Sequence, residues 1–302
     1  MRIIFMGSAE LACPCLEALA RLPSHEIVAV VTQPDKPKGR DLQLGPPPVK
    51  LAVKPLGLTV KQPVSMKDPA AHEMLRALRP DLIVVVAYGQ ILPKAVLEIP
   101  PRGCINVHAS LLPRWRGASP IQHAILHGDA FTGVTTMFLN EQMDAGDIIL
   151  QCAEPIHSND TSGALHDRLA KIGANLLTTT LAMENIPRRP QDESQATRAR
   201  KLTKEDGRID WTKPAVEIER MIRAFDPWPG THTYVNELLL KIARAAVVPN
   251  VNAPPGTLLP DFVIATSNGG LQPWEVLPAG RQRMSAEDFL RGMRLQPGFQ
   301  FR

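Results

Sequence analysis

Between Asp81 and Ala87 the chain reads Leu-Ile-Val-Val-Val, five branched apolar residues in succession. A strand with no polar residue to turn toward water has to be covered on both faces. That happens in parallel sheets flanked by helices. Residues 3–6 and 26–32 repeat the pattern, and a shorter candidate lies at 58–61. Helical segments separate them: one running from a Ser8 cap to about Leu22, another over 69–78. Further strands are expected at 104–108, 133–139 and 148–153, and a long helix over 161–183. Alternation of this kind predicts an α/β, doubly wound, mostly parallel sheet.

The remainder changes character. Residues 187–202 carry little apolar content and no period, and read as a linker. After it come one helix (214–224), short strand candidates at 231–235, 238–248, 256–259, 262–266 and 270–276, and a helix over 285–293. Short strands at regular spacing predict a small OB-like β-barrel. The expected division is therefore 1–186, a linker at 187–202, and 203–302.

The chain has 302 residues, 44% of them hydrophobic, enough for a sizeable core and against wholesale disorder. A net charge of +4 permits an anionic partner without requiring one. No apolar run approaches a membrane span. The start opens directly as a strand, without the charged and apolar regions of a secretory signal. Four scattered cysteines form no disulfide framework, and Cys13-Pro-Cys15 is not a zinc spacing. The expectation is a cytoplasmic protein with reduced thiols, no membrane association and no metal.

Asn106 and His108 stand two apart, so a strand puts both side chains on one face. They fall at the end of a predicted strand, where open α/β sheets place their ligands. Asp144 follows a later strand. An amide donor, an imidazole and a carboxylate together suit acyl transfer: the first two can stabilise an oxyanion, and the third can orient the ring and relay protons. A substrate amine can then be the nucleophile. Taken singly, Asn106 and His108 also fit satisfied core polar groups, and Asp144 also fits a cap on the Gly146 turn. The other histidines have no comparable setting.

These residues lie within Ile105-Asn-Val-His-Ala-Ser-Leu-Leu-Pro-Arg-Trp-Arg-Gly-Ala118. Together with blocks at 32–40, 86–93, 132–137, 143–148, 202–211, 222–229, 277–280 and 284–286, that segment resembles the formyltransferase family that uses 10-formyltetrahydrofolate. The likeness runs from residue 2 to about 293. The proline-rich loop at 33–48 and the C-terminal blocks point to its tRNA-directed branch. The resemblance implies formyl transfer to the free α-amine of methionine carried by initiator tRNA, with Asn106, His108 and Asp144 as the catalytic set. It implies 10-formyltetrahydrofolate as cosubstrate, no metal, and a monomer. The folate would lie against Gly89, Gln90, Ile91 and Leu92, Ser110, Leu111, Leu112 and Pro113, and Asn140 and Met143. The tRNA would meet Lys36, Lys38 and Arg40 of the 33–48 loop, Arg114 and Arg116 beside Trp115, and Lys204 and Arg208. The chain departs from the family where Asp41-Leu-Gln43 replaces further lysines, which weakens the loop's charge. Rival readings are formyl transfer to a small amine such as an amino sugar nucleotide or glycinamide ribonucleotide, hydrolysis of the formyl-folate, and a non-catalytic tRNA binder.

Overall fold

The computed structural model describes residues 1–38 and 43–301. Its chain forms two compact units. One comprises Met1–Pro120, Phe131–Pro155 and His166–Ala199; the other comprises Ile121–Ala130, Ile156–Leu165 and Arg200–Arg302.

In chain order the strands of the first unit are β1 (Arg2–Gly7), β2 (Glu26–Val31), β3 (Lys36–Lys38), β4 (Gln43–Gly45), β5 (Val60–Lys61), β6 (Leu82–Val86), β7 (Cys104–His108), β8 (Arg116–Gly117), β9 (Phe131–Phe138), β10 (Ile148–Pro155) and β11 (Arg198–Ala199). Seven of them form one sheet in the order β10-β9-β7-β6-β1-β2-β5. The run from β7 to β5 is parallel, while β9 pairs antiparallel with both β7 and β10. Every residue of β6 is buried, as its composition requires, and so is every residue of β7, Asn106 and His108 included. Chain order reverses at β1, with β2 on one side and β6 on the other. Such a switch point opens a crevice at the carboxyl ends of the strands.

Helices α1 (Cys13–Ala20), α2 (Pro48–Val53), α3 (Pro69–Ala77), α4 (Lys94–Leu97), α5 (Pro120–Leu126) and α6 (Ser162–Leu181) follow in chain order. Asp68 caps α3 by accepting from the Ala70 N–H at 2.9 Å, and Pro69 sits at its first position. On α6, Leu169, Ala174, Leu177 and Leu181 are buried at helical spacing. Gly173 lets this helix approach β7: a Cβ there would meet Val107 Cγ1 at 3.1 Å. Val107 thus locks the back of β7, and its neighbours Asn106 and His108 take the opposite face.

The second unit carries α7 (Ala215–Ala224), then β12 (Thr231–Val235), β13 (Leu238–Val248), β14 (Ile264–Ala265), β15 (Gly270–Pro278) and β16 (Met284–Ser285), and α8 (Ala286–Met293). Its strands run antiparallel as β12-β13-β15-β14, with β16 on β15, in a curled half-barrel. Ile218 and Ile222 of α7 and Phe289 of α8 pack into its core with Leu240, Ile242 and Val276. Each such side chain contributes about 1.5–3 kcal/mol by leaving water. Ser285 caps α8 by accepting from the Asp288 N–H.

Three local expectations differ. Ser8 caps no helix. Its hydroxyl donates to Tyr88 O at 3.0 Å and accepts from the Gln33 N–H at 3.1 Å, tying β1 to the segments after β6 and β2. Residues 256–259 form only isolated bridges, Thr257 with Gln300 and Leu258 with Ile264. The stretch 187–202 is not a plain linker. Arg189 exchanges two backbone hydrogen bonds with Ile148, and β11 pairs with β8. Backbone pairing needs no apolar period, so composition conceals it.

Candidate active site

The carboxyl ends of β6 and β7 and the loop after β9 enclose a cavity of about 550 Å³, within the range of small-molecule sites. Leu11, Val85, Leu97 and Leu139 give it apolar walls; Asn106, His108 and Asp144 supply polar groups. The structure therefore brings the three expected catalytic residues together. Asn106 and His108 are 8% and 7% exposed, and the Asp144 side chain 14%.

Asp144 is held at several points. Its Oδ2 accepts from the Gly117 N–H at 2.8 Å, and its Oδ1 lies 3.5 Å from Asn106 Nδ2. The same Oδ2 is 3.7 Å from His108 Nδ1. His108 Nε2 lies 2.9 Å from the Trp115 carbonyl oxygen. A carbonyl only accepts, so Nε2 carries a proton in this geometry. A second proton on Nδ1 would point at the Asp144 carboxylate. The Asn106 amide has two N–H groups, and only one is directed at Asp144.

The backbone here departs from ordinary geometry. Ala87, Trp115 and Asp144 have φ of +44°, +62° and +51°, in the left-handed region that non-glycine residues seldom adopt. Gly117 has φ +119°, and a Cβ there would meet Ala199 O at 2.5 Å. Glycine is thus required where β11 passes β8.

Gly89, Gln90, Ile91, Leu92, Asn140 and Met143 line the cavity. Ile91 and Met143 are 69% and 61% exposed, apolar groups a ligand could cover. Gly89 has φ +82°, and a Cβ there would meet Gln33 Nε2 at 2.6 Å. Ser110, Leu111, Leu112 and Pro113 do not line the cavity. Ser110 is fully buried and donates to Arg114 O at 2.6 Å, while Leu112 packs against Met137 and Ile148. They shape the turn that delivers Trp115 and Gly117.

Of the residues expected to meet tRNA, Arg40 lies outside the described residues. Lys36 donates to Gln33 Oε1, and Lys38 ends β3. Arg114 lies over the Trp115 ring at 4.6 Å. Lys204 and Arg208 are exposed in the second unit. Arg116 is engaged within the fold: its Nε donates to Gln191 Oε1 at 3.0 Å, and its two terminal nitrogens meet the Glu193 carboxylate at 2.9 and 2.7 Å. The bond from Arg116 holds the Glu193 carboxyl below the usual carboxylate range. A bidentate pair of this kind has structural work within the fold.

Composition gave no sign of three further residues. Thr135 Oγ1 donates to Ser110 O at 2.7 Å and accepts from Leu112 N and Gln151 Nε2 at 3.2 and 3.1 Å. Thr197 Oγ1 accepts from the Trp115 N–H at 2.9 Å. Gln191 donates to the carbonyls of Asp144 and Gly146. Only Thr135 lies inside a recognisable block, 132–137.

Residues 1–181 match the family described as "Formyl transferase", and residues 201–294 match "Formyl transferase, C-terminal domain". The chain belongs to the formyl transferase family. This transferase is 45% identical to the methionyl-tRNA formyltransferase of Citrifermentans bemidjiense over 99% of this chain and 95% of that one. It is 48% identical to that of Chloroflexus aggregans over 97% of each chain, and 47% identical to that of Gluconobacter oxydans over 99% of each. Among solved structures, an N-formyltransferase from Helicobacter canadensis in complex with folinic acid and dTDP-3-aminofucose shares its fold at TM-score 0.68 and 17% identity. That match covers 90% of this chain and 98% of the other. No helix of the transferase, among the described residues, is long and apolar enough to cross a membrane.

Proposed function

We propose that the chain transfers the formyl group of 10-formyltetrahydrofolate to the free α-amine of methionine esterified to initiator tRNA, giving N-formylmethionyl-tRNA. The convergence of Asn106, His108 and Asp144 on one cavity carries the reading. The 45–48% identity to methionyl-tRNA formyltransferases, over at least 97% of the chain, supports this acceptor. The first unit does the chemistry, and the second contributes backbone contacts through groups such as Lys204 and Arg208. The enzyme works as a monomer in the cytoplasm.

The cavity fits a flat heterocycle. Backbone at 89–92 and 140–143 offers edge hydrogen bonds, and Leu11, Val85, Leu97 and Leu139 offer apolar walls. Bound there, the folate supplies an activated formyl group on N10. An α-amine titrates near pH 8, so roughly a tenth is unprotonated at pH 7. Its nitrogen lone pair forms the new N–C bond, and the carbonyl π pair moves onto oxygen. Asn106 donates an N–H to that oxyanion, and the His108 ring stands beside it with the Asp144 carboxylate placed to stabilise positive charge on the imidazole. Asp144 keeps the ring oriented. It also accepts the proton released by the attacking nitrogen, through water, and returns it to N10. Collapse of the oxyanion breaks the C–N10 bond and releases tetrahydrofolate.

The test is formyl transfer from 10-formyltetrahydrofolate to methionine-charged initiator tRNA, beside uncharged and otherwise charged tRNAs. Product confined to the charged initiator is expected. Folate consumption without tRNA would replace the reading with a small-amine transferase or a hydrolase. No consumption under any condition would replace it with a binding protein.

A further inference from the structure

We infer that Gln191 is a positioning residue for Asp144, an inference that rests on the formyl-transfer reading above. Asp144 is reached from two directions. Its side chain is anchored by the Gly117 N–H, and its main chain sits in a left-handed turn that includes Gly146. Neither anchor fixes the carboxylate by itself, because the Asp144 turn is irregular and β8, which bears Gly117, is only two residues long.

Gln191 joins the two. One amide nitrogen donates to Asp144 O at 2.9 Å and to Gly146 O at 2.8 Å, bracketing the turn. Its oxygen accepts from Arg116 Nε at 3.0 Å. Arg116 immediately precedes Gly117, so the bonds close a ring: Asp144 carboxylate, Gly117, Arg116, Gln191, Asp144 carbonyl. The amide oxygen and one N–H of Gln191 are used in the ring, and the second N–H holds Gly146 O beside it. The carbonyl of Asp144 shares a residue with the carboxylate, so fixing its direction limits where the carboxylate can point. Rotation of that peptide would draw Oδ2 away from its 3.7 Å approach to His108 Nδ1. The turn has little freedom elsewhere, since a Cβ on Gly146 would meet Phe138 O at 1.9 Å.

The segment bearing Gln191 is itself fastened, by the Arg189–Ile148 backbone pair before it and by β11 after it. Glu193 lies outside the ring; it holds only the far side of the Arg116 guanidinium.

Gln191→Glu separates the roles. A carboxylate keeps size and still accepts from Arg116, but it cannot donate to the two carbonyls. The expected result on the full chain is a kcat for tRNA formylation lowered about 10- to 100-fold, with both KM values within about threefold of the parent. Amide exchange at Gly117 should be faster by about tenfold, because its acceptor is no longer fixed. Glu193→Gln should leave kcat within about twofold. Unchanged Gly117 exchange in Gln191→Glu would overturn the inference, and so would a kcat within twofold of the parent. Equal losses in Gln191→Glu and Glu193→Gln, following a common fall in thermal midpoint, would reduce Gln191 to general support and overturn it as well. The exchange measurement needs no turnover, so a parent protein that formylates nothing would strike the functional reading and leave this one to be judged separately.

Discussion

Asp144→Asn keeps the shape of the side chain and removes its charge. The carboxylate stands 3.7 Å from His108 Nδ1, with the ring 7% and the carboxylate 14% exposed. At an effective dielectric of about 20, a full charge at that separation stabilises an imidazolium by about 4 kcal/mol. With tenfold in rate for every 1.4 kcal/mol, the ceiling is about three decades. Asparagine adds a second penalty. If its oxygen accepts from the Gly117 N–H, its amide nitrogen faces the Asn106 amide nitrogen across 3.5 Å, donor to donor. Turned over, it sets the same conflict against Gly117. The expected fall in kcat is about 10²- to 10³-fold, with folate affinity within about threefold of the parent because Asp144 forms only part of the cavity rim. Steady-state formylation of charged initiator tRNA and a fluorescence titration with a folate analogue measure the two quantities. A folded variant with kcat within fivefold of the parent would refute the electrostatic role assigned to this carboxylate.

Thr135→Val removes a fully buried hydroxyl on which three hydrogen bonds converge. Unpartnered groups at Ser110, Leu112 and Gln151 should lower stability by about 2–4 kcal/mol in urea unfolding, and a loss below 0.5 kcal/mol would refute the account of that turn. Asp206 accepts from Arg200 and from the N–H and hydroxyl of Thr203, with Arg200 the largest influence, and its folded pKa is depressed. Its contribution is complete above the unfolded carboxylate value near 4 and fades as pH falls toward the folded one. Asp206→Asn should therefore be destabilising at pH 7 and only somewhat less so at pH 3, where most of the contribution is retained because the folded carboxyl stays ionised, read from unfolding midpoints at the two pH values. Burial pushes the thiols of Cys15 and Cys104, each 1% exposed, up to about 12. Iodoacetamide at pH 8 should label Cys152 well before either, as peptide mass spectrometry would show.

The parallel core was legible because burial on two faces leaves an unmistakable record, as at residues 82–86. Asn106 and His108 were legible because a period of two fixes a shared face. Gln191 left no such record, since a long polar side chain reaching two backbone carbonyls obeys no spacing rule and sits in a stretch whose composition suits a tether. The surroundings of Arg116 were hidden for the same reason: sequence shows that a guanidinium is present, and only the fold shows that Glu193 faces it. Ser8 had the chemistry of a helix cap, but the turn set it toward Tyr88 and Gln33, two equally good partners.

Three residues with side chains, Ala87, Trp115 and Asp144, occupy left-handed backbone around the cavity. Such positions are strained by about 1 kcal/mol or more each relative to glycine. Selection for thermal endurance alone would drift these sites toward glycine, and at 144 that drift would erase the carboxylate. A laboratory search scored only on heat resistance should therefore accumulate dead enzymes of excellent stability, with changes gathered around this mouth, whereas one scored on turnover must find its added stability elsewhere in the molecule.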